Sequence, residues 1–171
     1  MTRYAVLLRG VNVGGVNLKM AEVASTFESA GFTGVRTILA SGNVLLDSRK
    51  DTAAVRDTAQ KALRETFGYD AWVLVYPLDV VAAISAAFPF EREVDGHHSY
   101  VTFVSDEQVL DELAALPEGA HEKIARGDGV IYWQVPRSAT LATTIGKTMG
   151  KKRYKSATTT RNLRTVDKLL R

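Results

Sequence analysis

The residues best suited to chemistry form a cluster of glycines, asparagines and one arginine near the N-terminus. Residues 7–17 read LLRGVNVGGVN, after an apolar run, Tyr4–Leu8, and before a helical pattern that begins at about Lys19. A glycine-rich loop between a strand and a helix presents backbone N–H groups and the positive end of the helix, and both attract anions. Arg9 would add a guanidinium that can grip a phosphate or carboxylate with two hydrogen bonds.

The spacing of these glycines excludes the two best-known phosphate loops. No Gly-Lys-Ser/Thr follows, so the stretch is not a Walker A loop, and the pattern G-x-x-x-G-G is not the dinucleotide fingerprint. Two structural alternatives stay open. Arg9 would equally serve as a salt bridge that pins the loop, and Asn12 would serve as a turn former. Glycines also permit positive φ where no ligand binds.

Apolar periodicity predicts six elements in the first 77 residues, in the order β-α-β-β-α-β. The predicted strands are Tyr4–Leu8, Val35–Leu39, Asn43–Leu46 and Ala71–Tyr76, and the predicted helices run from Met20 to Ala30 and, capped by Asp51 or Thr52, through Val55–Phe67. This order is the split βαβ unit of the ferredoxin-like plait. Right-handed crossovers would place the first and third strands side by side and antiparallel.

This topology brings two stretches of the sequence to one edge of the sheet. The loop after the first strand and the turn before the third strand would be neighbours, although about thirty residues separate them. We therefore predict one ligand-binding site from both stretches. Its members are Arg9, Gly10, Asn12, Gly14, Gly15, Ser41, Gly42 and Asn43.

The second half repeats the pattern less regularly. We predict a helical connector at Leu78–Phe88, a strand at His98–Val104, a capping box at Ser105–Gln108, a hairpin of Glu122–Ala125 and Val130–Val135, a helix at Thr140–Met149, a loop at Lys151–Thr160 and an amphipathic helix at Asn162–Leu170. The fold class expected is α+β, with two packed ferredoxin-like α/β units and mainly antiparallel sheets. The units would comprise residues 1–77 and 78–171.

Charge is distributed unevenly along the chain. Residues 147–171 carry a net charge of +8, whereas the remainder carries −5. A basic end on an acidic body indicates a segment that meets an anion, and the alternative is a solvated surface. The residues of this segment added to the predicted ligand site are Lys147, Lys151, Arg153, Thr159, Arg161 and Asn162.

Composition limits the remaining classes. The 171 residues include no cysteine, which excludes disulfides and thiolate chemistry and is compatible with the cytoplasmic location that we expect. We expect no signal peptide and no association with a membrane, because the longest apolar stretch, Val80–Phe88, is too short to span a bilayer. The adjacent His97 and His98 would point to opposite faces of a strand. We therefore expect no metal ion and no cofactor.

Neither a nucleophile nor a stacking surface for RNA is indicated. Ser41 lies outside any G-x-S-x-G elbow, and no general base is evident, so catalytic residues stay unassigned. Aromatic residues at strand positions are expected to pack in the core or on a sheet face; they are Trp72, Tyr100, Tyr132 and Trp133. The first and third strands offer Tyr4 alone for stacking, which argues against an RNA-recognition motif.

Three stretches together resemble a known family. They read LLRGVNVGG at 7–15, LASGNV at 39–44 and TTRNLRTV at 159–166. The chain is thereby similar to the bacterial domain of unknown function 1697 family over nearly its whole length. The resemblance implies a fold of plait-like α/β units and no established activity. Leu163 stands where the family usually has tryptophan.

Three functional classes follow, in order of preference. The first is a module that binds a phosphorylated or other anionic small ligand at the glycine-rich loop. The second is a nucleic-acid-binding protein whose basic end contacts phosphates without reading sequence. The third is an enzyme acting on a phosphate-bearing substrate, with arginine and lysine stabilising the developing charge. The sequence predicts neither the identity of the ligand nor the oligomeric state.

Overall fold

The structure, a computed structural model, describes residues 1–9, 17–39, 42–119, 121–137, 148, 151, 154 and 157–171. Two compact units divide the chain, Met1–Val81 together with Lys168–Arg171, and Ala82–Asp167. Each unit contains one four-stranded antiparallel sheet, so the fold class is α+β, as predicted. Among the helices of the described residues, none has the length and apolar character needed to cross a membrane.

The first unit has the predicted β-α-β-β-α-β order. Its elements are β1 (Thr2–Leu8), α1 (Met20–Ser29), β2 (Thr33–Ile38), β3 (Asn43–Ser48), α2 (Thr52–Phe67) and β4 (Val73–Pro77). The strands lie in the order β2-β3-β1-β4, and β1 pairs antiparallel with both β3 and β4. This is the ferredoxin-like arrangement, and the predicted pairing of the first and third strands is confirmed. Helix α3 (Leu78–Ala86) follows directly.

The central strand β1 is buried on both of its faces. Tyr4, Val6 and Leu8 belong to the core that the sheet forms with apolar residues of α1 and α2. Ala5 and Leu7 point to the opposite face and are also fully buried. Because period-two alternation puts apolar residues on both faces, the sheet offers no open face at β1 on which RNA bases could stack.

Helix α2 has clear residue signals at both of its ends. The Asp51 carboxylate accepts a hydrogen bond from the backbone N–H of Ala54 at 2.8 Å, which is the predicted N-cap. Gly68 ends the helix in the left-handed conformation, with a φ of 68° that glycine adopts without steric cost. Cap and stop residues thus fix both ends.

The second unit repeats the strand order of the first. Its elements are β5 (His97–Val104), α4 (Glu107–Ala114), β6 (Lys123–Arg126), β7 (Val130–Pro136) and β8 (Thr158–Asn162), followed by α5 (Leu163–Leu169). The sheet order β6-β7-β5-β8 corresponds to β2-β3-β1-β4. Its core packs α4 against β5 and β7 through Leu110, Leu113, Ile131 and Trp133, as the aromatic prediction for Trp133 required.

Two predictions for the second unit are wrong. The loop predicted at Lys151–Thr160 contains the start of β8, because a run of β-branched threonines favours a strand although it lacks an apolar face. The N-cap of α4 is Asp106, whose carboxylate accepts from the N–H groups of Gln108 and Val109, and not Ser105. The helix predicted at Thr140–Met149 falls outside the described residues except for Thr148, which is helical.

Two tyrosines of the first unit differ in one hydrogen bond, and this generates a stability prediction. The Tyr4 hydroxyl donates to the Lys50 carbonyl at 2.8 Å. Among the described residues, the Tyr69 hydroxyl is the one buried side-chain polar atom without a partner. We expect Tyr4→Phe to lower the free energy of unfolding by about 1 kcal/mol and Tyr69→Phe to leave it unchanged or raise it slightly. Urea denaturation measures both, and equal losses would contradict the assignment.

Candidate functional site

Three strands of the first unit meet where β1 ends. The backbone N–H of Leu8 donates to the Gly42 carbonyl at 2.8 Å, and the N–H of Arg9 donates to the Trp72 carbonyl at 3.0 Å. The register pairs Leu7 with Asn43, so the turn before β3 lies against the end of β1. Of the predicted site residues, Arg9, Gly42 and Asn43 are therefore brought together at one edge of the sheet.

Arg9 is a half-buried cation that no carboxylate of the chain neutralises. All 19 aspartate and glutamate residues lie in the described part of the chain, and none forms an ion pair with its guanidinium. Burial lowers the pKa of Arg9, with no neighbouring charge opposing the shift. An arginine remains protonated even so. Its charge is therefore partly desolvated without compensation, and this opposes the alternative that Arg9 is a salt bridge pinning the loop.

Arg3, at the other end of β1, shows what a structural arginine looks like in this unit. Its guanidinium lies 3.2 Å from the Asp47 carboxylate and donates to the Gly34 carbonyl at 3.1 Å. These contacts join β1, β2 and β3. Arg9, one residue beyond the other end of the strand, has no equivalent ion pair with a carboxylate.

Gly42 and Asn43 shape the turn. Gly42 has a φ of 86°, which favours glycine. The side-chain amide of Asn43 is fully buried and donates to the Ile38 carbonyl at 3.0 Å, which closes the turn between β2 and β3. Both residues therefore support the edge of the sheet, and the Asn43 amide nitrogen is already committed to that turn.

Two exposed apolar residues flank this edge, and the sequence did not indicate them. Trp72, which was expected to pack, is 39% exposed and precedes β4. Leu39 is 49% exposed and has a φ of 60°, a left-handed conformation that costs a leucine roughly 1–2 kcal/mol. Backbone strain of this kind concentrates at functional sites. Trp72 was predicted inside the strand Ala71–Tyr76, whereas the structure begins this strand one residue after Trp72, at Val73.

Seven predicted site residues lie outside the described residues: Gly10, Asn12, Gly14, Gly15, Ser41, Lys147 and Arg153. For these residues the sequence-based prediction stands as it was made.

Predicted site residues of the C-terminal segment occupy the second unit. Thr159 and Arg161 are buried in β8, where the Arg161 guanidinium donates to the Thr159 hydroxyl at 2.5 Å and to the Thr160 carbonyl at 3.1 Å. Lys151 is exposed. The Arg161 side chain thus bonds within its own strand, and burial distinguishes it from the solvated cation that the charge pattern suggested.

Asn162 lines a cleft of about 260 Å³ in the second unit. Its side-chain oxygen accepts from the Arg164 N–H at 2.9 Å. The charged residues of the cleft are Arg92, Arg137, Arg164, Glu93, Asp95 and Asp167. Arg92 binds Asp167 through two contacts of 2.9 and 2.8 Å. Because three cations line the cleft together with three anions, these side chains give it no excess positive charge.

His97 and His98 also line this cleft. The Nδ1 of His97 lies 2.9 Å from the Asp95 carbonyl, whereas the His98 ring packs beside Tyr100 at a centroid distance of 5.5 Å. Across the described ranges, no three histidine, aspartate or glutamate side chains are grouped so that they could hold a metal ion.

Fold and site together define an α+β protein with two ferredoxin-like sheets and an uncompensated arginine at the edge of the first. The chain belongs to the family described as "Protein of unknown function (DUF1697)", whose model matches residues 1–132. The conserved bacterial protein SP0830 from Streptococcus pneumoniae has a similar structure, with a TM-score of 0.82 and 24% identity over 98% of this chain and 96% of that chain. This likeness shows the fold alone. No curated protein matches the sequence.

Replacing Arg9 tests whether it stabilises the fold. We expect Arg9→Met to leave the free energy of unfolding unchanged or to raise it, because the substitution removes a partly buried charge and retains an unbranched apolar chain. Arg3→Met, the matched control in the same strand, should lower it by about 1 kcal/mol through loss of the contacts to Asp47 and Gly34. Thermal and urea unfolding measure both. A loss of 2 kcal/mol or more for Arg9→Met would make Arg9 a structural residue.

Proposed function

We propose that this protein binds a phosphorylated or other anionic small ligand at the end of its first sheet, with Arg9 as the charged anchor. The observation that carries the proposal is the half-buried Arg9 guanidinium that no carboxylate of the chain neutralises. An anion placed there would restore the interactions that burial removes, and a charge-assisted bidentate pair is the strongest contact an arginine makes. The proposal is one of binding and assigns no reaction.

The sequence around Arg9 supports the same conclusion. Gly10, Gly14 and Gly15 directly follow β1, and the backbone N–H groups of glycines can approach a phosphate closely. Gly42 lies against the end of β1 from the other side. All the described residues on which the proposal rests belong to the first unit.

A second candidate function is sequence-independent binding of nucleic acid by the basic C-terminal segment. The observation in its favour is the net charge of +8 over residues 147–171, where Lys151, Arg164 and Lys168 are exposed. It predicts affinity for DNA or RNA of mixed sequence that falls with salt, with a log–log slope of about 0.9 per phosphate neutralised on duplex DNA. It also predicts little dependence on Arg9.

The binding prediction compares variants by calorimetric titration with inorganic phosphate and with ribose 5-phosphate. Arg9→Met should weaken ribose 5-phosphate roughly ten- to hundredfold, because a hydrogen bond to a charged group contributes about 1.5–3 kcal/mol. Arg56→Met is the matched control. Arg56 is exposed on α2 and pairs with its neighbour Asp57, so its loss changes net charge equally without touching the site.

The same titrations separate the two candidate functions. A Lys151→Ala/Lys152→Ala double variant should leave ribose 5-phosphate binding unchanged and should weaken any binding of oligonucleotides at two salt concentrations. If wild-type protein binds neither phosphate compound at millimolar concentration, the anion site is disproved. Equal weakening by Arg9→Met and Arg56→Met would show a general charge effect and not a site.

A further inference from the structure

We propose that the ligand at the Arg9 edge is a nucleotide, whose base stacks on Trp72 while its phosphate binds Arg9. This inference rests on the proposed function and adds the class of ligand. It starts from a comparison of the two units, which share a strand order but differ in the side chains at one edge of the sheet.

The two sheets end with the same backbone hydrogen bonds. In the first unit Leu8 N–H donates to Gly42 and Arg9 N–H donates to Trp72, at 2.8 and 3.0 Å. In the second unit Val104 N–H donates to Gly129 and Ser105 N–H donates to Ala157, at 3.0 and 2.8 Å. Both glycines have positive φ, 86° for Gly42 and 71° for Gly129. The backbone of this edge is therefore a property of the fold.

The side chains at the equivalent positions are different. Ser105 and Ala157 stand in the second unit where Arg9 and Trp72 stand in the first. The fold accordingly requires neither an arginine nor a tryptophan at this edge. Arg9 is unfavourable because part of its charge is removed from water, and Trp72 is unfavourable because an apolar ring is exposed to water. Both occur at the same pair of positions. Ligand binding explains their presence there, whereas the stability of the fold does not.

Arg9 and Trp72 are direct cross-strand neighbours. The ladder of β1 and β4 pairs Leu8 with Val73, and the Arg9–Trp72 hydrogen bond extends it by one residue. Residues directly opposite in an antiparallel pair have Cβ atoms about 5 Å apart on the same face of the sheet. The side chains that carry the guanidinium and the indole thus leave the backbone side by side. This arrangement suits a ligand that carries an anion and a flat ring close together.

The Trp72 ring has a cation over it and is nevertheless exposed to solvent. The Arg64 guanidinium lies over the ring with its carbon 4.9 Å from the centroid. Arg64 is itself fixed by a hydrogen bond of 3.0 Å to the Ala71 carbonyl and by an ion pair of 3.6 Å with Asp70. Trp72 is 39% exposed even with this guanidinium over its ring. A base can stack there without reorganising the site.

The distribution of exposed apolar residues agrees with this assignment. Met1, Leu39, Trp72 and Val80 are the large exposed hydrophobic residues among those described, and two of the four flank the end of β1. A sugar phosphate or a simple carboxylate would use Arg9 and leave the indole in water. A nucleotide uses both, because every base offers a π-face to an aromatic side chain.

A single nucleotide fits better than a strand of nucleic acid. Strand binding needs a row of aromatic platforms or an open sheet, whereas both faces of β1 are buried and Trp72 is one ring. Oligonucleotides therefore serve as a comparison in the test.

The test titrates adenosine 5′-monophosphate and ribose 5-phosphate, which share the sugar phosphate and differ in the base. Wild-type protein should bind the nucleotide about tenfold or more tightly than the sugar phosphate. Trp72→Ala, which introduces the residue of the second unit, should weaken the nucleotide about ten- to hundredfold and leave ribose 5-phosphate unchanged, and Trp72→Phe should retain most of the affinity. The control is Val80→Ala, an equally exposed apolar residue just beyond the other end of β4, and it should change neither.

A second readout reports contact with the ring. The chain has two tryptophans, and Trp133 is 2% exposed, so quenching of tryptophan fluorescence by the nucleotide reports mainly on Trp72. Quenching should saturate with the calorimetric affinity and should be lost in Trp72→Phe.

The outcomes separate this inference from the function on which it rests. Equal affinity for both compounds, unaffected by Trp72→Ala, would overturn the nucleotide and keep the anion site. Binding of the nucleotide that depends on Trp72 but not on Arg9 would overturn both the phosphate anchor and the proposed function. Failure of both compounds to bind would also overturn both the nucleotide proposal and the proposed function. If oligonucleotides bind more tightly than the mononucleotide, with steep salt dependence and no dependence on Trp72, the nucleotide proposal is wrong and the nucleic-acid function takes its place.

Discussion

The burial of β1 is the constraint on which the first unit depends. The strand is hydrogen-bonded to β3 on one side and to β4 on the other, and from Tyr4 to Leu8 both of its faces are apolar and buried. The register of such a strand is fixed, because a slip by one residue would exchange the two faces and carry Arg3 or Arg9 into a position that is now buried and apolar. The end of β1 is therefore fixed, and Arg9 is the first side chain beyond it.

The burial of β1 restricts the positions at which this strand can carry a functional side chain. From Tyr4 to Leu8 the chain has no freedom to carry a functional side chain, since every residue there is buried. Directly after Leu8 the requirement for burial ends, while the backbone N–H groups of Leu8 and Arg9 still donate to the carbonyls of Gly42 and Trp72. A side chain at this point is positioned by rigid strands and has access to solvent, which is where binding residues are expected on an α/β scaffold.

The sequence predicted the parts of the fold that periodicity encodes. A continuous apolar run identified β1, and the 3.6-residue repeat together with the Asp51 cap identified α2. It failed at β8, since the threonines there form a strand by virtue of β-branching and the Thr102–Thr160 hydroxyl contact, and neither has an apolar signature. It placed Arg9 directly after the first strand, where the structure has it. The missing carboxylate partner could not be predicted, because the distance between an arginine and each acidic residue is set by the tertiary fold.

Trp72 illustrates a further limit of sequence reasoning. An indole at a strand position is usually buried, as Trp133 is in the second unit, and hydropathy does not distinguish the two residues. What distinguishes them is the ladder. Trp133 lies in the middle of β7, paired with Tyr100 on one side and Ile124 on the other, whereas Trp72 directly precedes β4, where the strand pairing ends. The Trp72 ring is exposed because it lies where the pairing of β1 with β4 ends.

The electrostatics of the arginines completes the argument for the Arg9 edge. The buried Arg161 guanidinium donates to the hydroxyl and carbonyl groups of its own strand, and the more exposed Arg92 binds Asp167, so each has an acceptor within the chain. Transferring a charge out of water without such an acceptor is unfavourable, and a protein usually avoids it by pairing or exposing the group. Arg9 does neither completely. The acceptor that the fold does not supply from any of its 19 carboxylates is the one that an anionic ligand would bring.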